Sequence, residues 1–297
     1  MIKFLLRTIS FFVCIFIIDF FAGKCLSIMV KHAKGGDNGR NNYICDVVES
    51  DVLIFGSSRA IHHYNPNIIS DSLGLSCYNC GQDGNGSILN YGRYQLICQR
   101  YHPKLLIYDI MPRYDLLEGE DNQKYLGWLK AYYDRPGIAE LFEAVDFTEK
   151  YKMCSNMYRY NTKFIQIISD FLSPRQSKGI NGFRPINKEM DLMKVPKNNT
   201  KGIYNEDSLK LYFLNKMIDT SSDTKVVFIV SPSWNGMDTA SIEPIRKICL
   251  QKKIPFYDFS NAPKYLHKNI FFRDGNHLNA KGADEFTKDL IKYLRIL

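Results

Sequence analysis

Short apolar runs recur along this chain, each stopped by a glycine or a polar turn, and most are followed by a stretch of helical character. The N-terminus breaks that rhythm. Lys3 and Arg7 precede an uncharged run from Thr8 to Ile18, and Asp19-Phe20-Phe21-Ala22-Gly23-Lys24 follows it. A basic start leading into an apolar run is the pattern of a secretory signal or a signal anchor, and it predicts export of the remainder. No clean small-x-small site follows the run, and Lys24 before Cys25 spoils a lipoprotein-type processing site, so retention as a transmembrane anchor is expected. A span of ~20 residues then has to reach on to about Val30 and carry Asp19 and Lys24 with it. Residues 1–30 are therefore assigned to the anchor, and the polar, glycine-rich residues 31–49 to a linker. The basic start places the N-terminus in the cytoplasm and the body outside the cytoplasmic membrane, on the periplasmic side in a Gram-negative host.

The body alternates. Val52-Leu53-Ile54-Phe55 ends in Gly56 and reads as a buried strand. Asn67 to Leu73 reads as a short helix, Leu75 to Asn79 as a second strand, Ser87 to Tyr101 as a helix, and Lys104 to Ile110 as a third strand. From Pro112 the signal turns helical, aromatic and Lys-rich, and residues 112–224 are read as a helical insertion. Lys225 to Val230 resumes the strand pattern, followed by a helix over Ser241 to Lys252, a strand over Pro255 to Phe259 and a final helix over Asn279 to Leu297. Five strands interleaved with helices predict a three-layer α/β/α sandwich with a mainly parallel sheet, over residues 50–297. Chemistry in such folds gathers at the carboxyl ends of the strands, so polar residues just after an apolar run carry the most weight.

Composition narrows the classes. The 297 residues are 45% hydrophobic and 24% charged, which is globular and excludes wholesale disorder. Lys and Arg exceed Asp and Glu, 39 to 31, but the basic residues are scattered and form no arm of the nucleic-acid-binding kind. Eight cysteines show no disulfide framework. Cys77-Tyr-Asn-Cys80 invites a zinc or redox reading, yet no second pair stands at ligand spacing, so buried structural cysteines are expected and no metal.

Two turns could carry chemistry. In Gly56-Ser57-Ser58-Arg59, a serine directly after a buried strand can hold its Oγ exposed on a tight turn into a helix, with its own N–H available to an oxyanion. In Arg273-Asp274-Gly275-Asn276-His277, an Asp stands three residues before a His, ahead of the last helix. A short loop can bring that carboxylate against the imidazole, fixing its tautomer and supporting the imidazolium. Of the six histidines only His277 has this arrangement.

Together these blocks resemble those of the SGNH/GDSL hydrolase superfamily. Gly56-Ser57-Ser58 matches the Gly-Asp-Ser-like opening, which implies Ser58 as nucleophile with Ser57 in place of the usual Asp. Asn79-Cys80-Gly81-Gln82-Asp83-Gly84 matches the second block and implies an oxyanion role for Gly84, beside that of Ser58. Asp274-Gly275-Asn276-His277 matches the closing Asp-x-x-His block, implying His277 as general base and Asp274 as its orienting carboxylate. The third block, Gly-x-Asn-Asp, is not matched: the third strand runs into Tyr108-Asp109-Ile110-Met111-Pro112-Arg113. Asn85 and Arg113 are the candidates to replace its asparagine donor. Arg59 and Arg113 are candidate substrate contacts, and His62, His63 and Tyr64 could line the same cleft.

The resemblance implies a flavodoxin-like SGNH fold and an exported serine esterase needing no cofactor, acting on O-acyl, chiefly O-acetyl, groups of a cell-surface glycan or on a small ester. An O-acyltransferase using the same triad, or a non-catalytic glycan-binding or assembly protein, is the alternative. Tyr158-Arg159-Tyr160-Asn161 reads as an aromatic anchor or a sugar-stacking patch. The triplets Asn85-Gly86-Ser87 and Asn198-Asn199-Thr200 fit the N-glycosylation pattern.

Overall fold

The computed structural model of the chain describes residues 1–160, 163–172, 180–191, 202 and 204–296. The chain forms two compact units, one of residues 1–47 and 126–177, the other of residues 48–125 and 178–297.

The second unit is built on the five expected strands: β1 (Val52–Gly56), β2 (Cys77–Asn79), β3 (Leu105–Asp109), β4 (Lys225–Val230) and β5 (Phe256–Asp258). They pair in parallel in the order β2-β1-β3-β4-β5. All residues of β1 and β3 are buried, because a parallel sheet with helices on both faces leaves neither face to water. Val52, Ile54, Ile107, Val227 and Ile229 point to one face, where they meet Tyr64, just after the helix Ser58–His63, and Phe286 and Leu290 of the helix Ala280–Leu294. The other face carries the helix Ser87–Cys98, whose Tyr94 ring meets Phe55 edge-on at 6.2 Å. Strand order reverses between β1 and β3, so a crevice opens at their carboxyl ends.

Residues 112–224, read from the sequence as one insertion, divide between the units. The helix Ser208–Thr220 belongs with the sheet: Phe213, Leu214 and Met217 make one buried face, and Tyr91 of the helix Ser87–Cys98 stacks on Phe213 at 5.4 Å. It is the crossover helix between β3 and β4. Residues 126–172 pack instead with the N-terminal helix Ile2–His32. Its first turns are exposed, and burial begins at Gly23 and continues through Leu26 and Val30. Leu26 and Val30 share a small apolar core with Tyr160 and Ile167 from the helices Asn156–Tyr160 and Phe164–Leu172.

Residues 31–49, expected as a linker, hold a helix over Gly36–Asn42 and a π-helical turn over Tyr43–Val47. The Asn38 backbone N–H and side chain both donate to Asp170, at 3.2 and 2.9 Å, so polar residues here make tertiary contacts rather than a flexible tether. Cys77 and Cys80 are buried thiols, outside any disulfide, on β2 and the turn after it, and burial pushes the Cys77 thiol up, away from a reactive thiolate. Tyr160 is buried, Tyr158 donates to Glu149 at 2.9 Å and Arg159 pairs with Asp134, so these three serve the packing of the first unit. Asn161 and the triplet Asn198-Asn199-Thr200 lie outside the described residues.

Candidate active site

β1 stops at Gly56 because the chain must pass the carboxyl end of β3. Gly56 has φ +138°, and a Cβ there would lie 2.6 Å from the Asp109 carbonyl oxygen. The chain then turns into the helix Ser58–His63. Ser57 is its N-cap, buried, with its hydroxyl accepting from the Arg59 N–H at 3.4 Å. Ser58 is the first helical residue, and its N–H therefore has no acceptor within the helix. The side chain of Ser58 is half-buried, and its Oγ lies 2.8 Å from His277 Nε2.

His277 sits on a tight loop closed by the Phe272–Leu278 bridge and by the Arg273 N–H donating to the His277 carbonyl at 2.8 Å. Asp274 is at the head of that loop. Its Oδ1 accepts from the Asn276 and His277 N–H groups at 2.9 and 3.0 Å, and both carboxylate oxygens lie 3.0 Å from His277 Nδ1. Burial works against the Asp274 charge, but the imidazole and the two backbone donors outweigh it and bring Asp274 down to about 2. An ionised Asp274 holds the proton on Nδ1, which leaves Nε2 free to accept the Ser58 proton.

A second network, which no sequence motif marks, lies beneath this one. Asp109 ends β3 and Ser231 follows β4, and both are fully buried. The Ser231 N–H and hydroxyl donate to the two Asp109 oxygens, each at 2.9 Å. His63 Nδ1 lies 2.8 Å from Ser231 Oγ, and His63 Nε2 accepts from the Leu278 N–H at 3.0 Å. Only one tautomer satisfies the chain: Nδ1 donates to Ser231 and Nε2 accepts from the backbone next to His277. Burial holds His63 well below the ordinary imidazole range, and the neutral ring is the form this chain needs. The strand-end rule points to Asp109 and Ser231, but no motif in the sequence joins them to His63.

Arg59, expected at the cleft, belongs to this buried layer. It is 1% exposed, its Nε donates to Ser231 Oγ at 3.1 Å, and it lies 3.9 Å from Asp109. A guanidinium held this way cannot reach substrate. Removing it would leave Asp109 buried beside no cation, which typically costs about 3–5 kcal/mol. Arg59→Ala should therefore lower the unfolding midpoint of the detergent-solubilised protein by roughly 10 °C. A midpoint within two degrees of the parent would refute the pairing.

Arg113 is exposed and pairs with Glu120. It does line a cavity of about 390 Å³ beside the triad, together with Met111, Ser233, Met237, Asp238 and Asn276. Where the third block is unmatched, Pro112–Asp115 forms a helical turn closed by Asp115, which accepts from the Met111 N–H at 2.7 Å and from the Tyr108 hydroxyl at 2.7 Å. Gly84 has φ +64° in the second-block loop, and Asn85 turns its carboxamide N–H back to the Asp83 carbonyl at 2.7 Å. That loop is tied to the Ser58 helix. Asn79 donates to the Ala60 carbonyl at 2.7 Å, and Asp83 faces His62 Nε2 at 3.3 Å. The His62 ring stands edge-on to His277, 5.8 Å away, with Nδ1 on the Arg184 carbonyl at 2.6 Å. Tyr64 is packed in the core against Phe286 and does not face the cleft. No group of three or more metal-ligating side chains occurs among the described residues.

No protein-family model and no curated protein sequence matches the chain. Solved structures similar to it include a candidate acylhydrolase from Bacteroides fragilis, with 11% identity and a TM-score of 0.39 over 82% of this chain and 86% of that one. A GDSL-like lipase from Bacteroides thetaiotaomicron has 10% identity and a TM-score of 0.39 over 82% and 88%. An acetyl xylan esterase from the rumen bacterium Butyrivibrio proteoclasticus has 10% identity and a TM-score of 0.37 over 82% and 63%. Likenesses this distant carry no weight beside the chain's own strand order and side-chain geometry.

Proposed function

We propose that the protein is a serine esterase of the SGNH type, held to the outer face of the cytoplasmic membrane by its N-terminal helix and acting on O-acyl, chiefly O-acetyl, groups of a glycan. The observation that carries this is the continuous chain Ser58–His277–Asp274 at the crevice where strand order reverses. Ser58 Oγ attacks the ester carbonyl as its proton passes to His277 Nε2. The alkoxide oxygen of the sugar then leaves with that proton, and water repeats the sequence on the acyl-enzyme. The Ser58 N–H, without a helical acceptor, is the first oxyanion donor, and Gly84 and Asn85 in the loop tied to the same helix are the next candidates. One such donor is worth about 3 kcal/mol in the transition state.

A sugar substrate is supported by the adjoining cavity, whose size suits a small ligand and whose wall mixes Arg113, Ser233, Asp238 and Asn276 with two methionines. The test is acetate release from an O-acetylated oligosaccharide by the full-length protein in detergent, beside p-nitrophenyl acetate. Acetate release that is lost in Ser58→Ala is expected. Acetyl transfer to an added sugar acceptor with little release to water would identify an acyltransferase instead, and background rates with both esters would remove catalysis from the reading.

A further inference from the structure

The anchor helix changes character at one residue. From Ile2 to Ile18 its side chains are exposed or half-exposed on every face, and the first buried residue is Gly23. Gly23, Leu26 and Val30, spaced three and four apart, then form a seam against residues of the returning segment 126–172. Gly23 lets the backbones touch: a Cβ there would lie 2.1 Å from Asn156 Cβ. Asp19 stands at the boundary. Its carboxylate accepts from the Asn156 and Met157 N–H groups, each at 2.9 Å, and from the Ser155 hydroxyl.

Those donors, at residues 155–157, stand at the end of a segment that cannot enter hydrocarbon. Residues 146–155 carry Asp146, Glu149, Lys150 and Lys152, and Lys152 pairs with both acids at 3.0 and 2.8 Å. Charged groups at bilayer depth are costly, so the segment and the Asp19 carboxylate it holds must be at or above the water interface. The same segment exposes Phe147 and Tyr151, 64% and 65%, beside Lys150 and Lys152. Aromatic and Lys side chains together suit the headgroup layer, where an apolar body and a polar tip are both satisfied.

We propose that the hydrocarbon part of the span ends at Asp19 rather than near Val30, and that the segment Phe147–Ser155 rests on the lipid headgroups with Phe147 and Tyr151 among them. Residues from Asp19 to His32 then form a stalk outside the bilayer, clasped by the helices Asn156–Tyr160 and Phe164–Leu172. Ile2–Ile18 rises about 25 Å at 1.5 Å per residue. That is short for a hydrocarbon core of about 30 Å, and it is met by snorkelling of Lys3 and Arg7 and by local thinning. The inference rests on the helix spanning a membrane, and the following experiment separates the two.

Three exposed native cysteines bracket the boundary: Cys14 before it, Cys25 beyond it and Cys154 beside Ser155. Full-length protein in sealed, right-side-out vesicles is treated with a membrane-impermeant maleimide, and modified cysteines are located by peptide mass spectrometry. Cys25 and Cys154 should react at least tenfold faster than Cys14, which should react only after the bilayer is dissolved. Protection of Cys25 or Cys154 alongside Cys14 overturns the boundary while leaving the span intact. Modification of all three in sealed vesicles overturns the span itself. For the headgroup contact, Phe147→Trp in vesicles of phosphatidylcholine brominated near the headgroup should lose at least half of its added emission, and unquenched emission would refute that contact.

Discussion

Ser58→Ala is expected to lower ester hydrolysis by about four orders of magnitude, whereas Ser57→Ala is expected to keep most of it. The two serines are adjacent in sequence and opposite in environment. Ser57 is buried as the helix N-cap, with its hydroxyl on the Arg59 N–H, so its loss costs about 1 kcal/mol of stability at most sites of this kind. Ser58 alone has its hydroxyl within hydrogen-bond reach of His277, at 2.8 Å. An organophosphonate ester should label Ser58, with the label lost in Ser58→Ala and in His277→Ala but retained in Ser57→Ala. An adduct located on Ser57 would overturn the assignment, and the oxyanion donors would have to be reassigned with it.

Asp274→Asn should lower kcat by three to four orders of magnitude while leaving the fold and KM nearly unchanged. The asparagine can still accept from the Asn276 and His277 backbone N–H groups through its oxygen, so the loop keeps its shape. Its NH2 group then faces His277 Nδ1, and the ring must put its proton on Nε2. That nitrogen would point a hydrogen at Ser58 and could not take one from it. Because Asp274 lies at about 2, the parent carries this charge throughout the range of pH 4 to 9, and no loss of rate there comes from Asp274. Steady-state kinetics of parent and variant from pH 4 to 9 check both points. A variant within tenfold of the parent would show that the carboxylate does not set the tautomer.

The parts of this protein that repeat locally were legible in its sequence. Each strand announced itself as an apolar run ended by glycine or a polar residue, and the loop Asp274–His277 is local enough for its spacing alone to bring carboxylate and imidazole together. What escaped was long-range. Arg59 reads as a cleft cation because it follows Ser58, yet its partners Asp109 and Ser231 come from the ends of two other strands and draw it inward. His63 reads as a cleft residue for the same reason, yet it is buried and its role is defined by Ser231 and the Leu278 N–H far along the chain. In the sequence the helix Ser208–Thr220 blends into the insertion, because its Lys-rich neighbours mask the short face made by Phe213, Leu214 and Met217. Residues 31–49 looked like a tether because a polar, glycine-rich string can also be a short helix when other residues receive its donors.

The interleaving of the two units has a consequence for biogenesis. The chain begins the first unit, leaves it at residue 47 to lay down three strands, returns to it at residue 126, and leaves again to finish the sheet. During synthesis the N-terminal helix is therefore made long before the segment that supplies partners to Asp19, and that carboxylate lacks them until residues 155–157 follow. The site has the same delay: Ser58 is among the early residues, but the base that would activate it arrives only with the last loop before the final helix. On the proposed reading, a nascent chain carries an inert serine until almost the whole protein has been made.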